Sequence, residues 1–229
     1  AELVHEADLP LDDVSDYFLE VQVVSHDEVS DDAKRFNASH RAMLIAGPER
    51  VMTAQGPTYN DAAIFAWRDR GADGQPDPSV HIETIQVPGD GVVYVASKAR
   101  NIGGGVWRYT YAVQNMNMER AIGSFAVLMG ADGDPDNVQF HDVDYHSGEV
   151  YDNTDWTILE GDATLFWFSP QTFAENPNTN ALRWGTMYTF QFESAALPHD
   201  GSVTLGLFKP GTPDAVDAPA TTPSEVFCP

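Results

Sequence analysis

The sequence predicts an all-β protein, an antiparallel two-sheet β-sandwich of immunoglobulin-like or jelly-roll-like type with about ten strands and little helix. Three observations carry this expectation. The dominant hydrophobic period is two: Trp107, Tyr109, Tyr111 and Val113 alternate with Arg108, Thr110 and Ala112, and Tyr188, Phe190 and Phe192 alternate with Thr189, Gln191 and Glu193. Such alternation marks strands that bury one face. The segments between these runs are rich in Gly, Pro, Asn and Asp, which supply turn conformations at little cost. No long stretch shows the period of an amphipathic helix.

In chain order, strands are expected at Tyr17–Val24, Ala42–Ile45, Ala62–Trp67, Val92–Ser97, Trp107–Val113, Ile122–Met129, Val138–Tyr145, Ala163–Phe168, Tyr188–Phe192 and Ser202–Phe208. The best helical segment is short, Ser30–Ala38, where Ser30 and the two following Asp suit a helix N-terminus. Gly103–Gly105 lies between strands rather than before a helix, so it reads as a hairpin turn and not as a phosphate cradle. The chain then divides into an acidic N-terminal arm (1–16), a sandwich domain (17–208) and a Pro-rich tail (209–229). With five Pro in 21 residues, the tail reads as an extended exit. A Gly/Asp/Pro-rich loop near Asp69–Pro78 separates a first set of strands from the rest, with one continuous sandwich favoured over two domains.

A chain of 229 residues can bury a sizeable core. Lys and Arg total 12 against 35 Asp and Glu, a net charge of −23. That balance excludes nucleic acid and anionic membranes as partners gripped through phosphate neutralisation. At 42% hydrophobic and 11% aromatic the chain is nevertheless too apolar to be disordered. No apolar run reaches transmembrane length, no signal-peptide pattern opens the chain, and a start at Ala1 fits a processed product. The acids cluster: residues 1–32 hold eleven of them and residues 121–182 another eleven, both without any Lys or Arg. Clustered carboxylates are either a solvating surface for a salty exterior or sites for a hard cation.

Three acidic groups are candidate cation sites. In the first, Asp142, Asp144 and His146 project from one face if this segment is a strand, a ligand set suited to zinc or another transition metal, while calcium would use the carboxylates alone. In the second, Asp132, Asp134 and Asp136 have the oxygen spacing of an EF-hand loop, but Asn137 replaces its Gly and Val143 its Glu, so it is not an EF-hand. Asp69, Asp73 and Asp77 form a weaker third set in a turn-rich loop. Arg183, the first base after Arg120, is expected as a structural clamp onto Asp142, Asp144 or Asp155, with recognition of an acidic ligand as its functional alternative. Cys228 is the single cysteine, so it is free or bridges to another chain. The five Trp are expected mainly in the core, with stacking on sugar rings as the alternative role. Motifs for a serine nucleophile, a zinc protease helix, a P-loop or a dinucleotide site are absent from the sequence.

Several long motifs resemble an uncharacterised family of secreted planctomycete proteins. These are Tyr17–Glu20, Asn37–Arg41, Gly103–Tyr109 with Tyr111–Asn117, Phe140–Gly148, Thr154–Trp156, Asn180–Thr186 and Leu205–Gly211. The resemblance implies secretion and a longer precursor of which this chain is the C-terminal half; it implies no catalytic residue. The sequence thus favours a secreted extracellular or cell-surface binding and assembly module, cation-stabilised, whose partner is another protein chain: the N-terminal part of the same precursor or further copies of itself. The alternative is a metal-dependent extracellular enzyme or enzyme subunit built on Asp142, Asp144 and His146.

Overall fold

The computed structural model describes residues 16–23, 37–47, 51–71, 74–130, 133–143, 149–161 and 163–223. They form thirteen strands and one short helix: β1 (Tyr17–Gln22), β2 (Ala38–Ala46), β3 (Val51–Tyr59), α1 (Phe65–Asp69), β4 (His81–Gln86), β5 (Val92–Gly103), β6 (Val106–Asn115), β7 (Ile122–Leu128), β8 (Asp136–His141), β9 (Thr157–Glu160), β10 (Thr164–Phe168), β11 (Met187–Ser194), β12 (His199–Leu207) and β13 (Ala215–Thr222). All pairings are antiparallel, and they make three sheets rather than two: β1-β2-β3, β13-β12-β7-β10-β9 and β4-β5-β6-β11-β8. The chain divides into two compact units, Ala1–Pro78 and Ser79–Pro229, at the end of the Asp69–Pro78 loop.

The first unit holds the three-stranded sheet and α1. Its buried residues are Ala38, His40, Ala62, Ile64 and Ala66. His40 stacks on Tyr59 with ring centroids 5.3 Å apart, and the Arg70 guanidinium lies 3.5 Å from the centroid of the same Tyr59 ring. The strand expected over Ala62–Trp67 is instead a set of tight turns leading into α1. Phe65 N donates to Ala62 O at 3.1 Å and Arg70 N to Ala66 O at 2.8 Å. Ala62, Ile64 and Ala66 are all buried, so a short apolar run satisfied both periods and its Ala content favoured the helix. Of the helix expected over Ser30–Ala38, Ser30–Phe36 lies outside the described residues, and Ala38 opens β2.

The second unit is a sandwich whose two five-stranded sheets enclose one core. The chain changes sheet between β6 and β7, β7 and β8, β8 and β9, β10 and β11, and β11 and β12. Inward-facing Tyr109 and Tyr111 of β6 and Phe190 and Phe192 of β11 meet Phe125 of β7 and Trp167 of β10, all at most 1% exposed. Phe125 stacks on Phe190 with centroids 4.2 Å apart, and Trp167 packs edge-on against Phe190 at 5.4 Å. The tyrosine hydroxyls reach out of this core to backbone acceptors, Tyr109 to Ala196 O and Tyr111 to Thr221 O, each at 2.8 Å. Outside the core, a chain of polar contacts crosses three strands: Thr110 to Gln191, Gln191 to Gln139 and Gln139 to Asn137. It ends on Glu193, whose carboxylate accepts from Asn137 and from Arg108 and is held below its ordinary pKa chiefly by Arg108.

The hairpin expected at Gly103–Gly105 joins β5 to β6, with all three φ angles positive, at 97°, 64° and 82°. The Pro-rich tail contributes a strand: Ala215–Thr222 pairs with β12 along eight residues. Pro219 is tolerated there because β13 is an edge strand, where a missing N–H leaves no ladder bond unmade.

Because the ring stack between the sheets closes the sandwich, Phe190→Ala is expected to cost about 3–5 kcal/mol through lost burial and the cavity left behind. Urea unfolding followed by near-ultraviolet circular dichroism measures it.

Candidate functional site

Two asparagine side chains, both within 2% of full burial, shape one end of the sandwich. Asn115 closes β6. Its Oδ1 accepts from Met118 N at 2.7 Å, and its Nδ2 donates to Met118 O at 2.9 Å and to Leu182 O at 3.2 Å. Its backbone carbonyl accepts from Gly185 N at 2.8 Å. One amide therefore satisfies backbone groups of the 116–121 turn and the 182–186 loop and holds them together. Asn180 does the same beside β8. Its Nδ2 donates to Thr154 O at 3.0 Å and to a carboxylate oxygen of Asp142, its Oδ1 accepts from Tyr188 OH at 2.6 Å, and its carbonyl accepts from Trp156 Nε1 at 3.0 Å.

Arg120 secures the third wall. Its Nε donates to Lys209 O at 3.0 Å and its Nη1 to Pro213 O at 2.6 Å, which ties the chain after β12 to the 116–121 turn. Lys209 in turn pairs with Glu119 at 2.5 Å.

Arg183 begins a tight turn closed by Thr186 N on Arg183 O at 3.1 Å, and Gly185 supplies the positive φ, 75°, that the turn needs. The turn presents Trp184 at its tip, 43% exposed. The Arg183 side chain folds back: Nη2 donates to Pro177 O and Thr179 O, both at 2.9 Å, and the guanidinium lies 3.7 Å from the centroid of the Tyr151 ring. Burial lowers its pKa, opposed first by Tyr151 and Tyr188 and then by Glu119 and Glu149. Among the described residues Arg183 thus clamps loop carbonyls and an aromatic face, and Asp142 accepts from the Asn180 amide; Asp144 lies outside those residues.

These loops border a cavity of about 230 Å³ lined by Glu119, Glu149, Tyr151, Arg183, Trp184 and Lys209, together with Met118 and Ala121. A wider cleft of about 450 Å³ lies where β4, β12 and β13 meet, around His81, His199 and Asp200. Its described lining residues include no Trp, Tyr or Phe.

The three acidic sets each have a member outside the described residues: Asp144 and His146 of the first, Asp132 of the second and Asp73 of the third; Cys228 lies outside them as well. Of the members described, Asp142 is buried, Asp134 is exposed, and Asp136 accepts from Asn137 N at 2.8 Å. Asp69 accepts two bonds from Arg68, at 2.7 and 3.2 Å, and Asp77 donates its backbone N–H to Arg68 O. Among the described residues no three His, Cys, Asp or Glu side chains come together as a metal-binding group. No helix among them is long and apolar enough to cross a membrane. Asn115 and Asn180 lie in two of the motifs that carry the resemblance, Tyr111–Asn117 and Asn180–Thr186, but neither motif assigns them a role. The local composition offers the Asn-rich strings Asn115-Met116-Asn117 and Asn176–Asn180, which mark turns.

Burial, and secondarily the Asp142 charge, raises the Tyr188 pKa above its ordinary value of 10.0. The folded chain therefore ionises Tyr188 at higher pH than the unfolded chain does. Its contribution to stability is complete below that ordinary value and is lost as pH rises towards the folded value. Tyr188→Phe is expected to destabilise by about 1–2 kcal/mol near neutral pH, because Asn180 Oδ1 loses its donor. The gap to the parent should narrow above about pH 10, where only the parent can lose this contribution. Urea unfolding of both proteins across that range checks the sign. No family model, curated protein or solved structure matches the chain.

Proposed function

We propose that the chain is a secreted, extracellular assembly module that docks onto a second copy of itself through its three-stranded sheet. The exposed apolar surface of that sheet carries the proposal. Of thirteen large apolar side chains that are exposed among the described residues, six lie on or directly beside it: Leu19, Val21, Val23, Leu44, Val51 and Met52. Pairing of Leu19 with Arg41, of Val21 with Ser39 and of Met52 with Ile45 puts Leu19, Val21 and Met52 on one face together with half-buried Met43 and Ile45 and with Ser39 and Arg41, while Leu44 and Val51 face the other way. A concentration of exposed apolar side chains on one sheet face favours an interaction site.

Among the described residues the same register leaves this face without an acid, since Glu20 points to the other side, and with a single base, Arg41. In a chain of net charge −23 it is a surface on which two copies can meet without opposing carboxylates. Secretion rests on the resemblance and on the solvating acid excess. A bound calcium ion belongs to this reading as a stabiliser. Zinc or a redox metal with an open position at Asp142, Asp144 and His146 belongs to the competing reading of a metal-dependent enzyme, which must share a carboxylate that Asn180 already engages.

Light scattering on the purified full chain is expected to show a dimer that tightens as salt rises, because screening weakens the repulsion between two acidic chains. Replacing Leu19 and Val21 together by Lys should give a monomer with unchanged far-ultraviolet circular dichroism. A parent that stays monomeric at every concentration and salt overturns self-assembly. Metal analysis of the same sample separates the two readings: calcium or no metal supports the module, and tightly held zinc or redox metal supports the enzyme.

A further inference from the structure

Of the five tryptophans, Trp156 and Trp167 are buried and Trp67 and Trp107 half-buried, while Trp184 is exposed at the tip of its turn and lines the cavity of about 230 Å³. We infer that this cavity is a binding site for one ring of a neutral carbohydrate, with Trp184 as its stacking wall. A sugar ring presents a C–H face and a rim of hydroxyl groups that both donate and accept, so it fits a site with an aromatic plane and with acceptors and donors close together.

The cavity holds both kinds of group. Glu119 and Glu149 offer carboxylate acceptors, and Lys209 and Arg183 are cationic. Two acids and two bases balance, so the site does not select an ion of either sign, although the chain as a whole carries −23. Its volume suits a single ring rather than a larger organic ligand. Preorganisation favours the same conclusion. Gly185 N is bonded to Asn115 O, and Lys209 N and Lys209 O are both bonded to Arg120, so the backbone that carries the aromatic wall and the lysine is held before any ligand binds. This site is separate from the sheet face proposed for self-assembly and does not depend on it.

The test is a titration of the full chain, read by tryptophan fluorescence and ligand-observed NMR, with cellohexaose, xylohexaose, laminarihexaose and chitohexaose as probes and trigalacturonate as an anionic control. At least one neutral oligosaccharide is expected to bind saturably. Trp184→Ala should weaken that binding by about tenfold or more, and Trp184→Phe, which keeps an aromatic plane, should retain most of it. Because Trp184 is exposed, both variants should unfold like the parent, which circular dichroism checks. The inference is overturned if no neutral oligosaccharide binds, if the anionic control binds better than all of them, or if Trp184→Ala binds like the parent.

Discussion

The ring stack between the two five-stranded sheets, Phe125 on Phe190 at 4.2 Å with Trp167 edge-on beside it, is the contact on which the sandwich depends. A single cysteine rules out an internal disulfide, so no cross-link within the chain helps burial to close the fold. The stack also sets the position of everything at the rim. Phe190 and Tyr188 lie on the same face of β11, and the Tyr188 hydroxyl reaches Asn180, so the core carries the polar network at its edge.

At the rim the dominant interaction changes from burial to backbone satisfaction. The connections between β6 and β7 and between β10 and β11 run partly buried, and their peptide groups need partners. Asn115 and Asn180 supply them from side chains that can donate and accept at once, which a carboxylate or a lysine cannot do. Arg120 and Arg183 play the cationic version of that role, donating to Lys209, Pro213, Pro177 and Thr179 carbonyls. Two of the few bases in an acidic chain are therefore spent on loop carbonyls rather than on acids, and the result is a fixed turn with an indole at its tip.

Much of this was legible in the sequence where side chains alternate strongly. Trp107–Val113 and Tyr188–Phe192 lie in β6 and β11, paired in register, and Gly103–Gly105 forms the turn between β5 and β6. Strands with weaker alternation were hidden: β13 contains Pro219 and reads as a tail, β3 contains Gly56-Pro57, and β9 has four residues, all exposed. The run from Ala62 to Trp67 misled because six residues of small and apolar character fit either period. The site was less legible than the fold. Arg183 stands out in the sequence, but its partners among the described residues are carbonyls and the Tyr151 and Phe208 rings, which no charge pattern reveals, and the two organising asparagines look like ordinary turn residues.

The buried amides hold the 116–121 turn and the 182–186 loop as firmly as the strands they join. Hydrogen exchange measures this directly. The amides of Met118, Leu182 and Gly185, bonded to Asn115 Oδ1, Ile122 O and Asn115 O, should exchange about as slowly as Val113 in the middle of its sheet. Exchange of these three amides at the rate of an unstructured chain, while Val113 stays protected, would contradict it.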